Sequence, residues 1–477
     1  MERLIRDGKM AFVSAAEIDC SRIGIGFEKL DRDVFDPRKA YDKVAKIGVK
    51  RIRIQSGWMK TERVKGVYDF AWLDEIVDNL LLRGLEPWLC LCYGNPLYTT
   101  LAESVFGAVG CPPVENREET EAWLRYVEAA VKHFKGKISL YEIWNEPDCS
   151  YSWKHLGEAK EDIDPERNAR EYGLFACETA RAIKKADAEA QVAAFGLCSI
   201  SNLKWVNDAL STGLYQYVDY VSFHIYASDD GLRARWISSL RDLVHSYNPD
   251  IRLIQGESGA QTRSDGNGAM RGFAWTREKQ TKMLLRTLIC DLHEGVAFTS
   301  YFSTMDMIEA LRGKVGDKAS YLDYGYFGVI SAEFDEDGRA TGEYTEKPSY
   351  YALSALASLL RGNACAKDIP YAVEELPSKR VNGSDCACKD IQVYSFSLDD
   401  GGSALIYWKK ADILTETYEG TASFCVYGQK LDRIRICNLK DGGLYRLPEG
   451  MTEALGNGGI RLRNIPITDS PLAILFE

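Results

Sequence analysis

The chain has 477 residues, 45% hydrophobic and 27% charged, and its 59 Lys and Arg against 70 Asp and Glu leave a formal net charge of −11. With 40 Gly and only 14 Pro, this composition excludes a disordered, collagen-like or low-complexity chain, and the acidic balance makes nucleic acid and anionic membrane poor partners. No stretch approaches the ~18 uninterrupted apolar residues of a membrane span. Residues 1–20 alternate charges with short apolar pieces instead of building a secretory apolar core, so the expected location is cytoplasmic. Thirteen Cys spread without a compact disulfide spacing are expected to be mostly free, buried thiols.

In chain order, eight short β-rich runs are expected at 23–27, 51–57, 86–93, 138–145, 192–198, 220–226, 252–257 and 297–303. Amphipathic stretches such as AWLDEIVDNLLLRG, EAWLRYVEAAVKHFKG and RARWISSLRDLVHSYN lie between them, with apolar residues at helical spacing. Eight strand–helix units close naturally into a (β/α)8 barrel. After about residue 362 the helical period stops, and IQVYSFSL, SALIYWKK, TASFCVYG, RIRICNL and LAILFE follow one another with Gly-rich turns. The expected fold class is therefore α/β: a (β/α)8 TIM barrel over residues 1–361 and a C-terminal antiparallel β-sandwich over 362–477. The first ~20 residues are free to join the sandwich.

Chemistry in such a barrel sits at the C-terminal ends of the strands, so polar residues closing apolar runs are the informative ones. The fourth run, SLYEIWNEPD, ends in Asn145, Glu146 and Pro147, and the seventh, IRLIQGESG, ends in Glu257. About three strand–helix units separate them, which places the two Glu on opposite sides of the mouth, facing one cavity. Two carboxylates across a pocket are what hydrolysis of a glycosidic bond requires. Either Glu alone would read more simply as a helix cap or a surface ion-pair partner.

The string Trp144-Asn145-Glu146-Pro147, with a Glu ending the seventh strand, resembles the clan A retaining glycoside hydrolases, nearest to the family 39 β-xylosidase type. The resemblance covers the barrel, and the Lys-Pro-x-Tyr at 347–350 fits the family's last helix. It implies Glu146 as acid/base and Glu257 as nucleophile. Arg53 would hydrogen-bond the nucleophile, Asn145 would contact the sugar 2-hydroxyl, and His224 and Tyr226 in SFHIYA would match the clan's strand-six end. The implied activity is exo-cleavage of a β-linked sugar through a glycosyl-enzyme. The alternatives are an endo-acting β-glycanase of the same clan or a non-catalytic carbohydrate-binding barrel. The partner is a glycoside or oligosaccharide, and a homo-oligomer is compatible with the reading.

The eighth run, AFTSYFSTMD, lacks the Trp that clan members commonly place there, so Tyr301 or Phe302 is expected to floor the sugar site. Trp58, Tyr93 and Asn95 are further candidates at strand ends. Strand parity puts Glu142, Trp144 and Glu146 on one face and Arg51 with Arg53 on another, which predicts an interior Arg51–Glu142 pair. Five His with no His-x-His pair, and the isolated Cys90-x-Cys92 and Cys386-x-Cys388, predict neither a metal nor a cofactor.

Overall fold

Strands covered by helices on one side and packed side chains on the other read as continuous apolar runs, and these runs become a closed parallel barrel in a computed structural model of the chain. The structure describes residues 1, 3–310, 313–375, 378, 379, 385, 386, 390–456 and 458–477. After an N-terminal strand, β1 (Ile5–Lys9), the barrel runs in chain order through β2 (Ile23–Gly26), β3 (Arg51–Gln55), β4 (Glu86–Leu91), β5 (Leu140–Ile143), β6 (Gln191–Leu197), β7 (Tyr220–His224), β8 (Arg252–Glu257) and β9 (Thr299–Tyr301), and β9 pairs back onto β2. The helices are α1 (Tyr41–Ile47), α2 (Trp58–Thr61), α3 (Ala71–Leu82), α4 (Arg117–His133), α5 (Pro165–Ala186), α6 (Leu203–Leu210), α7 (Asp230–Tyr247), α8 (Arg277–His293) and α9 (Pro348–Leu359). Side-chain caps start several of them: Asn116 accepts from Glu119 N–H, Asp164 from Glu166 N–H ahead of Pro165, and Thr276 from Lys279 N–H.

The floor of the barrel is a cluster of Trp88, Leu140, Ala193, Tyr220, Ile254 and Phe298. The Arg51 guanidinium lies 5.5 Å from the Phe298 ring centre, on the inner side as parity requires, but Arg51 pairs with Glu86 at 2.9 Å and not with Glu142. The expected Arg51–Glu142 pair is thus corrected. Arg51 and Glu86 open their strands in direct register, and that leaves Arg51 at the floor while Glu142 meets Arg53 higher up.

Beyond α9 the strands form two larger antiparallel sheets, as expected, with a separate short pairing of Ser378–Lys379 and Asp385–Cys386. One has the order Ile5–Lys9, Gly443–Arg446, Ile434–Asn438, Leu472–Phe476, Ser403–Lys409, Ile391–Ser397 and Cys365–Ala366; the other has Tyr371–Glu375, Glu419–Tyr427, Gly459–Thr468 and Thr452–Ala454. The chain's first strand therefore does join the sandwich. Along Ser403–Lys409 the alternation is complete: Leu405 and Tyr407 face the sandwich interior, while Ala404, Ile406 and Trp408 belong to the barrel's own core. The Asn-Gly-Ser at 382–384 and the side chains of the Cys386-x-Cys388 pair lie outside the described residues.

The sheet closes over α8, so that helix is buried almost all round, polar residues included. Arg286 donates to the carbonyls of Lys409, Ala411 and Asp469, and Lys282 pairs with Asp469 at 2.6 Å. Arg286→Met is expected to strand these buried carbonyls and the nearby Asp230, lowering stability by about 3–5 kcal/mol. Urea denaturation checks this; a loss below 1 kcal/mol would mean that apolar contact alone seats the sandwich.

Candidate active site

The site is organised around β3, whose alternation sends Arg53 and Gln55 into the barrel mouth and Ile52 and Ile54 to the helices. Arg53 is fully buried, and its planar fork of donors is completely used. Nε reaches Glu142 at 2.7 Å, Nη1 reaches both Glu28 at 3.2 Å and Glu257 at 3.1 Å, and Nη2 reaches Asn145 Oδ1 at 2.9 Å and Cys90 Sγ at 3.4 Å. Glu142 is a structural member of this set. It also accepts from Ser222 at 2.6 Å and Trp88 at 3.3 Å, and although burial opposes its charge, Arg53 and the other donors hold its carboxyl below the ordinary range.

Glu146 and Glu257 face each other above this layer. One carboxylate oxygen of each, together with a ring nitrogen of His224, lie within 4.8 Å of one another. His224 Nδ1 is 3.0 Å from Glu146 and 3.9 Å from Glu257, and the Tyr226 hydroxyl donates to Glu257. Burial pushes the Glu146 carboxyl up; His224 opposes the shift and the charge of Glu257 adds to it. His224 is itself lifted: burial disfavours its charge, but Glu257 and the bond to Glu146 outweigh it. Among the described residues this trio is also the group whose donor atoms converge as metal ligands would, yet each member is already hydrogen-bonded within the protein.

Above the carboxylates opens a cleft of about 620 Å³ whose wall includes Tyr93, Asn145, Glu146, Tyr226 and Glu257. Arg53 and His224 lie directly beneath it. These seven predicted residues are therefore brought together, and three others are not. Trp58 packs between Tyr98 and Tyr126 and donates to Glu62, because it starts α2 on the side of α4. Asn95 fixes the turn after β4, donating to Glu62 O and accepting from Leu97 N–H. Tyr301 stands beside Ile25 in register, on the outer side of β9, with its hydroxyl 3.4 Å from the Ala260 backbone; Phe302 lines the cleft in its place.

Trp144 is a further correction. It does not share the inner face with Glu142 and Glu146, since φ is +66° at Trp144 and +53° at Glu146, and this breaks the alternation at the strand end. Its indole turns outward, donates to Ser152 O and packs against Trp123 and Trp153. The Glu146 N–H is caught by Gly196 O at 3.0 Å.

Sequence reasoning passed over Glu28, Lys29, Gln55 and Glu309, all of which line the cleft. Lys29 and Glu309 tie together the segments that follow the first and eighth barrel strands, at 3.3 Å. Glu28 and Gln55 carried a usable signal, because each is a polar residue at or just past the end of an apolar run, as Glu146 and Glu257 are.

Comparison with known proteins bears out the resemblance read from the strand ends. The family profile described as "Glycosyl hydrolases family 39" matches residues 34–243. A β-xylosidase of Geobacillus stearothermophilus is 28% identical over 176 residues, which is 35% of this chain and 32% of that protein. A β-galactosidase of Clostridium cellulovorans is 35% identical over 81 residues, 16% of this chain and 11% of that protein. The chain is thus matched to a third or less of the length of these curated relatives. Among solved structures, a family 39 glycoside hydrolase from Bacteroides cellulosilyticus aligns with a TM-score of 0.63 at 16% identity, over 96% of this chain and 81% of the other. A family 39 β-xylosidase from Caulobacter crescentus aligns with a TM-score of 0.57 at 17% identity, over 99% and 98%. At these identities the structures establish the shared fold.

Burial pushes the Glu28 carboxyl from an ordinary 4.5 to about 7, with Arg53 opposing the shift and Glu257 adding to it. Between these values the folded chain holds a proton that the unfolded chain has released, so stability falls as pH rises through the window. Glu28→Gln carries no such charge. Its stability relative to wild type is expected to rise by on the order of 2 kcal/mol between pH 5 and pH 8, read from paired urea denaturation curves. A constant difference across that range would place the Glu28 titration at its unfolded value.

Proposed function

We propose that this protein is a retaining glycoside hydrolase that cleaves a β-linked sugar, exo-acting and β-xylosidase-like on short oligosaccharides, with Glu257 as nucleophile and Glu146 as acid/base. The observation that carries the reading is the approach of the two carboxylates, with oxygens within 4.8 Å. Double displacement works at carboxyl separations of about 5–5.5 Å, whereas inversion needs about 6.5–9.5 Å to seat a water between them. The family 39 match and the β-xylosidase relative support the sugar and the mode of cleavage.

In this reading Glu146, whose carboxyl burial pushes up, gives its proton to the leaving oxygen while Glu257 attacks the anomeric carbon from the opposite face. Arg53 and Tyr226 aim one donor at each oxygen of Glu257 and so fix the orientation of its carboxylate. Asn145, oriented by Arg53, is placed to bond the 2-hydroxyl as the oxocarbenium ion develops. Glu146 then removes a proton from the water that releases the sugar. The same reading takes residues 1–361 as the catalytic unit and 362–477 as an accessory unit. It also places the enzyme in the cytoplasm, in keeping with cysteines that are free among the described residues.

A panel of aryl glycosides, with the product anomer followed by NMR, tests the reading; a first-formed product of inverted configuration would overturn it. Glu257→Ala is expected to lose roughly 10⁴-fold or more in activity, and added azide would yield a glycosyl azide of inverted configuration. Glu146→Ala is expected to lose about 10²–10⁴-fold on substrates whose leaving group needs a proton and much less on dinitrophenyl glycosides, and azide would give the retained anomer. The reverse pattern of azide products would exchange the two roles.

A further inference from the structure

We infer that Glu28 is a sugar-binding carboxyl of the subsite beside Glu257, accepting hydrogen bonds from ring hydroxyls of the sugar whose glycosidic bond is cleaved. The inference rests on the glycosidase reading above. It starts from the first barrel strand, where parity puts Gly24, Gly26 and Glu28 on the inner side. A Cβ at Gly26 would lie 2.8 Å from Glu28 Oε1, so the small residue leaves the room that the carboxyl occupies.

Two carboxyls, Glu28 and Glu142, share Arg53 and are equally withdrawn from solvent, at 1% and 0% exposure, but they are served very differently. Glu142 accepts three bonds, at 2.6, 2.7 and 3.3 Å, and does not line the cleft. Glu28 has one long bond to each oxygen, from Arg53 Nη1 at 3.2 Å and Gln55 Nε2 at 3.4 Å, and it does line the cleft. A carboxylate offers about four acceptor sites. A buried carboxyl left short of donors is costly, and the groups that can supply donors here arrive through the cleft.

The position selects which sugar. Glu28 and Glu257 sit on the same Arg53 nitrogen, 3.2 and 3.1 Å from it. A sugar ring joined to Glu257 through its anomeric carbon therefore brings its remaining hydroxyls past Glu28. Gln55 is fixed for the purpose: its Oε1 accepts from Lys29 N–H and Arg32 Nη2, which turns its amide nitrogen toward Glu28 and the Tyr93 hydroxyl. Phe302 and Lys29 complete the wall, with the ammonium 5.5 Å from the ring centre.

The test uses 4-nitrophenyl β-D-xylopyranoside, or whichever aryl pyranoside of the panel the wild-type protein cleaves fastest, with its 3-deoxy and 4-deoxy counterparts. Glu28→Ala is expected to lower kcat/KM on the parent glycoside by roughly 10- to 100-fold, the worth of a hydrogen bond to a charged group. On the deoxy glycoside that lacks the contacted hydroxyl, wild type and variant should agree within about threefold. The same factor of loss on all three glycosides would show that Glu28 only supports Arg53, and would overturn the inference. So would a loss below about threefold on the parent. Glu28→Gln, which keeps the volume of the side chain, serves as the second variant if Glu28→Ala fails to fold by thermal melting. A wild-type protein inert to the whole panel would remove the glycosidase reading and this inference with it, whereas a loss independent of substrate removes this inference alone.

Discussion

One buried guanidinium, that of Arg53, sets the terms for everything at the barrel mouth. Taking a cation out of water costs several kcal/mol unless its donors are met with good geometry, and Arg53 meets that condition by binding three carboxyls and an amide oxygen at once. One positive charge cannot neutralise three negative ones. The carboxyls therefore separate by environment: Glu142, with three donors, is held below the ordinary range, and Glu28, with two long bonds of 3.2 and 3.4 Å, is pushed up by its burial. Placing the cation on a strand, with its fork spent on β2, β5 and β8 strand ends, also ties the sheet's curvature to the spacing of the carboxyls.

Precision above that layer comes from backbone that leaves the regular strand. Positive φ at Trp144 and Glu146 is unfavourable for residues with a Cβ, at about 1 kcal/mol or more each, and local packing offsets it. The Trp144 indole is wedged between α4 and the following loop by Trp123, Trp153 and Ser152 O. Glu146 is pinned through its own N–H to Gly196 O. The Glu146 carboxyl held this way owes its position to a helix-facing Trp.

What was legible in the sequence follows from these facts. The eight runs and the polar residues closing them showed through because parallel strands buried on both faces leave long apolar signatures that Arg53, Glu146, His224 and Glu257 interrupt. Half of the first barrel strand, IGIG, is glycine, so its apolar run is short and weak, and Glu28, although it directly follows the 23–27 run, was passed over. Parity failed at Trp144, where φ changes sign, and at Arg51, where register with Glu86 supplied a nearer partner than Glu142. The burial of α8's polar residues did not show for a different reason. The outer face of that helix is covered by the C-terminal sheet, so Lys282 and Arg286 sit buried where an amphipathic helix would show solvent.

His224 lies between Glu146 and Glu257, and its place has a consequence for the proposed cycle. Glu146 is raised chiefly by burial, with the negative charge of Glu257 adding to it and the bond to His224 opposing it. When Glu257 becomes an ester in the glycosyl-enzyme its charge is gone, and Glu146 has just given up its proton. The like-charge repulsion that helped raise the Glu146 carboxyl is then absent, while the His224 contact that favours its carboxylate remains. His224 in turn loses one of the two anions that lift it and keeps the nearer, at 3.0 Å. The covalent step thereby moves Glu146 from the state of an acid toward that of a base with no rearrangement of the protein, and hydrolysis of the ester restores the charge that resets it.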